Sequence, residues 1–411
     1  MTGSADHRTL QLPLPAGSQA DLDRIHRRLD WTHTYFDLDR DHHIEQHRSL
    51  DTILSTRPIA AGPDPRPLHH AQRELPHRFR LPGCQATYLS VPPIAVELDQ
   101  FLRHIGTQGL AVWHDGHLVD ERYLGDHTAE TRWMTNSASK LVVAMLIAGA
   151  RRSGTISGPD QLLTELWPEL AETVWDTVTI GHCMSMTTGV DWVEEDLDMM
   201  RDSQFAQFSH EVAFGSIDAF LMSLSRRSPA GTELIYSSMD TEVLGGALIR
   251  ATGRGIAELV QDTLWLPGGM EHSAYWVSDD HGREMALSGL CATLRDYVRL
   301  GLLLLPDTVE ASDVIPVGFR QRLSSPDPAI FEMAGHDDYP LVCWDQAFIP
   351  CRPDDQRGDF MAAGSYGQII YVDPPTRTVI AHQGVFADIT TEYIDLFRCF
   401  MLFRQIAAAL S

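Results

Sequence analysis

Apolar positions first fall into a regular pattern near residue 108. Gly109-Leu110-Ala111-Val112-Trp113 and His117-Leu118-Val119-Asp120-Glu121-Arg122-Tyr123 flank an Asp115-Gly116 pair, which predicts a β-hairpin. A nearly unbroken apolar run, Leu141 to Ala150, follows and reads as a buried helix starting near Ser137. At ten residues the run is too short to span a bilayer. From about 155 to 267 the pattern is mainly helical, clearest at Asp218 to Arg226 and Met239 to Arg250, and helix returns at Leu294 to Leu305. Strands return at Gln368 to Val372 and Thr378 to His382, joined at Pro374-Pro375, and Tyr393 to Leu410 closes the chain as a helix. Strands on both sides of a helical block predict an α/β plus all-α molecule. Residues 83–155 and 268–411 would form the sheet domain, and 156–267 a helical domain.

Residues 1–82 depart from this pattern. They hold nine of the nineteen histidines and little apolar periodicity, and Pro58, Pro63, Pro65 and Pro67 favour an extended arm. His43 and His47 would share a helical face beside His42. No carboxylate or Cys spacing supports a metal there, so a polar surface helix is the expectation.

Charge removes several functions. The 411 residues carry 56 Asp and Glu against 32 Lys and Arg, a formal net charge of −24, which disfavours phosphate backbones and anionic membranes alike. The first 24 residues show no apolar core of a secretory signal. Six scattered cysteines without a C-x-x-C pair suit reduced thiols in a cytoplasm.

Lys140 is the only lysine; the other 31 basic residues are arginine. It stands at the head of the apolar helix. Arginine keeps its proton in a protein, whereas a desolvated lysine can lose enough basicity to act as a base. Ser137, three residues earlier, brings a hydroxyl to the same face one turn away. A helix N-terminus there adds N–H groups suited to an oxyanion. The plain alternative is a surface lysine on the first turn of a core helix. About a hundred residues on, a Gly231-containing loop delivers Tyr236 just before another helix. A phenol lowered by a neighbouring ammonium could accept the serine proton and pass it on. Tyr236 could equally be an aromatic anchor for its loop.

Together these elements resemble the serine β-lactamase and penicillin-binding-protein superfamily. Within it the chain is most similar to the class C and esterase-like branch, and to the 6-aminohexanoate-dimer hydrolase type. The stretches that carry the resemblance begin with Trp133-Met134-Thr135-Asn136-Ser137-Ala138-Ser139-Lys140. Met184-Ser185-Met186-Thr187-Thr188-Gly189-Val190-Asp191-Trp192 and Tyr236-Ser237-Ser238-Met239-Asp240 follow. Ser288-Gly289-Leu290-Cys291-Ala292-Thr293 and Gly364-Ser365-Tyr366-Gly367-Gln368 complete them. The resemblance implies a β-lactamase-like fold, an antiparallel sheet flanked by helices with a helical insertion, and a site between the two parts. It implies Ser137 as acylated nucleophile, Lys140 and Tyr236 as proton-transfer pair, and the backbone N–H groups of Ser137 and Ser365 as oxyanion hole. No metal or organic cofactor is implied.

The departures narrow the function. A Lys-Thr-Gly motif cannot exist with Lys140 as the sole lysine, and the matching stretch Phe360-Met361-Ala362-Ala363-Gly364 offers no grip for a β-lactam carboxylate. The second motif ends in Ser238 rather than Asn. His382-Gln383-Gly384 follows the Gln368 to Asp373 strand and reads as a strand end. The acidic loop Glu194-Glu195-Asp196-Leu197-Asp198 lacks the tyrosine that aminohexanoate hydrolases often carry; it could attract a cationic amine or be a solvated face. Ala363-Gly364-Ser365-Tyr366-Gly367 falls one residue short of a nucleophile elbow, and His382 follows too soon to serve it. The expectation is therefore a serine hydrolase acting on an amide or ester. An acyltransferase on the same fold and a catalytically silent ligand-binding relative are the rivals. A small-molecule amide or ester is the expected partner, with no nucleic acid and no membrane; a homo-oligomer stays open.

Overall fold

The computed structural model describes residues 19–34, 39–192, 194, 203–306, 308, 314–334, 340–386 and 391–411. Its first two elements stand where proline and histidine content predicted an extended arm. They are the helices α1 (Gln19–Thr34) and α2 (Arg40–Ile53). Asp39 caps α2 by accepting from the N–H groups of Asp41 and His42. The buried face of α2 is His43, Gln46, His47, Leu50 and Ile53. That is a helical i, i+3, i+4, i+7 stripe with polar rings where aliphatic residues are usual. It conceals the helix from a reading based on apolar periodicity.

Extended chain follows as β1 (Ser55–Ile59), β2 (His69–His70), β3 (Arg78–Leu81), β4 (Cys84–Gln85), β5 (Ser90–Val91) and β6 (Ile94–Glu97). Then come α3 (Leu98–His104), the hairpin β7 (Thr107–His114) and β8 (His117–Tyr123), and the short β9 (Trp133–Met134). A 3-10 turn at Asn136–Ala138 runs into α4 (Ser139–Arg152). From there to residue 273 the described residues contain no named strand. The helices are α5 (Leu163–Leu166), α6 (Ile180–Met184), α7 (Gln204–Phe214), α8 (Ile217–Ser223), α9 (Ser238–Thr252), α10 (Ile256–Val260) and, after a π turn, α11 (Leu266–Gly268). The chain closes with β10 (Ala274–Ser278), β11 (Leu290–Ala292), α12 (Leu294–Leu302), α13 (Val317–Ser324) and α14 (Ala329–Ala334). After these run β12 (Leu341–Trp344), β13 (Ala347–Pro350), β14 (Phe360–Gly364), β15 (Gln368–Asp373), β16 (Thr378–Gly384) and α15 (Glu392–Leu410).

The main sheet has the order β12-β13-β14-β15-β16-β7-β8-β2, antiparallel except where β2 runs parallel to β8. Successive residues of a strand face opposite ways. Here both faces are covered, so β7 is buried throughout. Ala111 and Trp113 join the core formed with α4 and α12, while Leu110 and Val112 join the core under α3 and α15. A second sheet, β1-β10-β11-β9, ends at the strand that feeds the Ser137 turn. Among the described residues no helix is long and apolar enough to cross a membrane.

α15 is fixed to the sheet by charge as well as by apolar contact. Arg404 grips the fully buried Asp359 with two hydrogen bonds of 2.7 Å, and Tyr371 donates to the same carboxylate at 2.8 Å. Removing one partner of such a pair strands the other in a medium that solvates it poorly. Arg404→Leu is therefore expected to lower the free energy of unfolding by about 3 kcal/mol or more. Urea unfolding followed by tryptophan fluorescence measures it; a change under about 0.5 kcal/mol would show the pair to be energetically idle.

Candidate active site

The Ser137 turn is stitched to β11 before any chemistry is considered. Thr135 donates its N–H and its hydroxyl to the Leu290 carbonyl at 2.8 and 3.0 Å. Ser139 accepts the Leu290 N–H at 3.2 Å and pairs with the Thr135 hydroxyl. These bonds fix the first turn of α4, whose residues Ser139 to Ala148 are all buried. They fix with it the relation between Ser137, half-buried at the surface of the turn, and Lys140, one turn inward and 1% exposed.

Lys140 Nζ lies 2.6 Å from Ser137 Oγ and 3.4 Å from the Leu287 carbonyl. Burial penalises its ammonium and lowers its pKa from 10.5 to about 8, against an opposing pull from the carboxylates of Glu194 and Glu242. The lone lysine is thus internal, not a surface residue. Leu287 is held in turn by its N–H, which donates to the buried Glu242 at 2.9 Å. The stretch ending at Ser288-Gly289 therefore supplies a carbonyl to the lysine.

Tyr236 comes to the same point from another element. Its loop rests on the Met184 to Trp192 stretch, where Ile235 donates its N–H to the Met186 carbonyl at 3.0 Å and Gly231 donates to Thr187 at 2.7 Å. Gly231 has φ +81°, a conformation glycine adopts without penalty. The ring stacks on Phe348 with centroids 5.6 Å apart, and Lys140 Nζ sits 5.2 Å from its centre. The Ser137 side chain, beside the phenol, favours its ionised form. Its pKa, however, moves opposite to the expectation from sequence. Burial, reinforced by Glu194, pushes it well above 10. Lys140 gives up its proton first, so no ammonium remains to draw the phenol down where it would titrate.

The end of β14 forms the third side. At Gly364 a Cβ would lie 2.2 Å from the Thr135 carbonyl and 2.9 Å from Ser137 N. Only a glycine lets the strand backbone approach the turn so closely. The Ser365 carbonyl accepts from Asn136 Nδ2 at 2.8 Å and from Gln368 Nε2 at 3.1 Å. Tyr366 donates its N–H to Glu392 at 2.8 Å. Trp133 ties the two sheets together through Gln368 at 2.8 Å. Ser137, Lys140, Tyr236 and Ser365 are thus gathered at one place. His382, the residue a nucleophile elbow would need, is buried inside β16 with its ring bonded to Gly367 and Thr107.

A cavity of about 570 Å³ opens beside Tyr236, lined by Trp192, Glu194, Leu234, Phe348, Cys343 and Tyr393 among others. Of the acidic loop, only Glu194 belongs to the described residues; Glu195 to Asp198 lie outside them. Glu194 accepts from Trp192 Nε1 at 2.6 Å and from the Ser238 N–H at the start of α9. A larger groove, about 770 Å³ and lined by Arg57, Asp218, Arg254 and Glu258, contains none of the four gathered residues. Among the described residues no cluster could hold a metal ion, and His43 and His47 are buried rather than on a surface face. Asn136 and Gln368 went unnoticed as site residues in the sequence, and Glu194 was read only as part of an acidic loop that could attract an amine. Asn136 had a signal, its place next to Ser137; Gln368 and Glu194 act through contacts that only the fold creates.

Comparisons with known proteins bear on the family and the fold. The family model described as beta-lactamase matches residues 98–382. The 6-aminohexanoate-dimer hydrolase of Paenarthrobacter ureafaciens is 24% identical over 316 residues, 72% of this chain and 77% of that protein. A provisionally assigned 6-aminohexanoate-dimer hydrolase from Bacillus anthracis superposes with a TM-score of 0.77 at 22% identity, over 90% of this chain and 95% of that one. EstCE1, a hydrolase with promiscuous acyltransferase activity, gives 0.54 at 13% identity, over 74% of this chain and 98% of its own.

Because Lys140 is the only lysine, its titration can be read directly. Protein carrying ¹³Cε-lysine should show one lysine signal, with a midpoint near 8. A midpoint at the ordinary 10.5 would mean that the side chain reaches water.

Proposed function

Since the chain belongs to the β-lactamase family and is a serine hydrolase, we propose that it cleaves an amide or ester bond through an acyl-enzyme on Ser137. The single observation that supports this most is Lys140 Nζ at 2.6 Å from Ser137 Oγ, inside a pocket that lowers the amine to about 8. At neutral pH and above, a useful fraction of that amine is free to accept the serine proton. Oγ then bonds to the carbonyl carbon while Nζ takes the proton. The oxyanion faces the N–H groups of Ser137 and Ser365, in a place that the close approach at Gly364 makes available. Tyr236, kept protonated by burial, gives its proton to the departing amine or alkoxide and recovers one from the Lys140 ammonium. Water repeats the sequence in reverse and frees the acid.

Ala362 and Ala363 of β14 carry no group that could hold a β-lactam carboxylate, which argues for a substrate outside that class. Cys183, Cys291, Cys343 and Cys399 form no disulfide among the described residues, which supports placing the enzyme in the cytoplasm. Transfer of the acyl group to an amine or alcohol shares the first half of this reaction and is the second reading, favoured by the double activity of EstCE1 on a similar fold.

A fluorophosphonate should form one stable adduct on wild type, mapped to the Ser137 peptide and absent from Ser137→Ala. A folded wild type that stays unlabelled would overturn the proposal. Product analysis with and without added amines separates hydrolysis from transfer. A chromogenic cephalosporin should be turned over at least about a thousandfold more slowly than an activated ester, since the carboxylate anchor that orients it is missing; comparable rates would contradict the assignment.

A further inference from the structure

The role of α2 emerges from a buried histidine that the proposed chemistry does not use. His47 is 3% exposed, and its ring lies on Trp133 with centroids 5.1 Å apart. Its Nδ1 is 2.7 Å from the His43 carbonyl, and its Nε2 is 3.1 Å from Asn136 Nδ2. A carbonyl only accepts and an amide NH₂ only donates. Both contacts are satisfied by one state alone, a neutral ring with the proton on Nδ1 and a lone pair on Nε2. Burial favours a neutral ring, lowering its pKa to about 3.

Asn136 is the residue through which His47 would act. It precedes Ser137, has φ +47°, and directs the two hydrogens of its amide at different acceptors, Ser365 O at 2.8 Å and His47 Nε2. The first contact sets the distance between the nucleophile's turn and the backbone after β14. The second prevents the amide from rotating out of it. Trp133, against which His47 stacks, also reaches Gln368, and Gln368 donates to Ser365 as well.

We propose that His47 is a positioning residue for acylation: a helix outside the family-matched segment uses its Nε2 lone pair to hold Asn136, and Asn136 holds Ser137 and Ser365 in register. The inference rests on the acyl-enzyme reading above. It assigns α2 a part in the active site rather than in packing alone.

Two variants separate these roles. His47→Phe keeps a ring against Trp133 but removes the acceptor, whereas His47→Gln puts Oε1 near the place of Nε2. The maximal rate of fluorophosphonate labelling should fall about tenfold or more in His47→Phe at an unchanged half-saturating concentration, the loss expected when reacting groups drift by a fraction of an ångström. His47→Gln should recover most of that rate. Wild-type labelling in His47→Phe, or equal loss in both variants, would overturn the inference. If wild type itself is not labelled, the acyl-enzyme reading fails instead. Should His47→Phe not fold, ¹⁵N-histidine spectra of wild type decide, with His47 assigned by its loss in His47→Gln. A neutral Nδ1–H tautomer supports the inference, and an Nε2–H tautomer overturns it.

Discussion

The desolvation of one ammonium group governs this molecule. Lys140 must reach Ser137 Oγ while lying out of water, and the fold surrounds it with the apolar helix α4, the Leu287 carbonyl and the Tyr236 ring. In water the same amine would be protonated at every physiological pH and could only donate. Burial brings it to about 8, where it can exchange a proton with a serine. Arginine could fill the volume but would keep its proton, and the chain's single lysine stands at this buried position.

Three separate parts of the chain meet to make that environment, and each is fixed by polar bonds rather than by apolar contact alone. Thr135 and Ser139 join the Ser137 turn to β11. The Tyr236 loop hangs from Met186 and Thr187. β14 can close on Ser137 because Gly364 has no side chain, and Asn136 Nδ2 holds it there by donating to the Ser365 carbonyl. Directional bonds hold such a site to a narrower geometry than packing does, which is what attack on a carbonyl requires. Glu194 shows the electrostatic side of this economy. It caps α9 and at the same time raises the pKa of both Lys140 and Tyr236, so the position of one loop bears on the protonation of both groups.

What the sequence disclosed follows from the same physics. The hairpin of β7 and β8, helices α4, α9, α12 and α15, and the strands β15 and β16 each carry local periodicity, and they form within a few residues of the expected bounds. Helices α1 and α2 escaped because their buried faces carry His, Gln and Arg where apolar periodicity looks for aliphatic residues. The Ser137–Lys140 pair was legible because a helical turn places residues three apart on one face. The shift of Tyr236 was not, since it depends on Glu194 and Phe348, distant in sequence and brought near only by the tertiary fold. His47 was read as surface for the same reason. Nothing in its neighbours along the chain announces Asn136.

The most direct test of the account is the mass of the intact protein, acid-quenched within a second of mixing with an activated acyl ester. The account predicts a transient increment equal to the acyl group, carried by the Ser137 peptide, decaying as product appears, and missing in Ser137→Ala. Turnover of the ester with no covalent increment, or an increment carried by another residue, would contradict it.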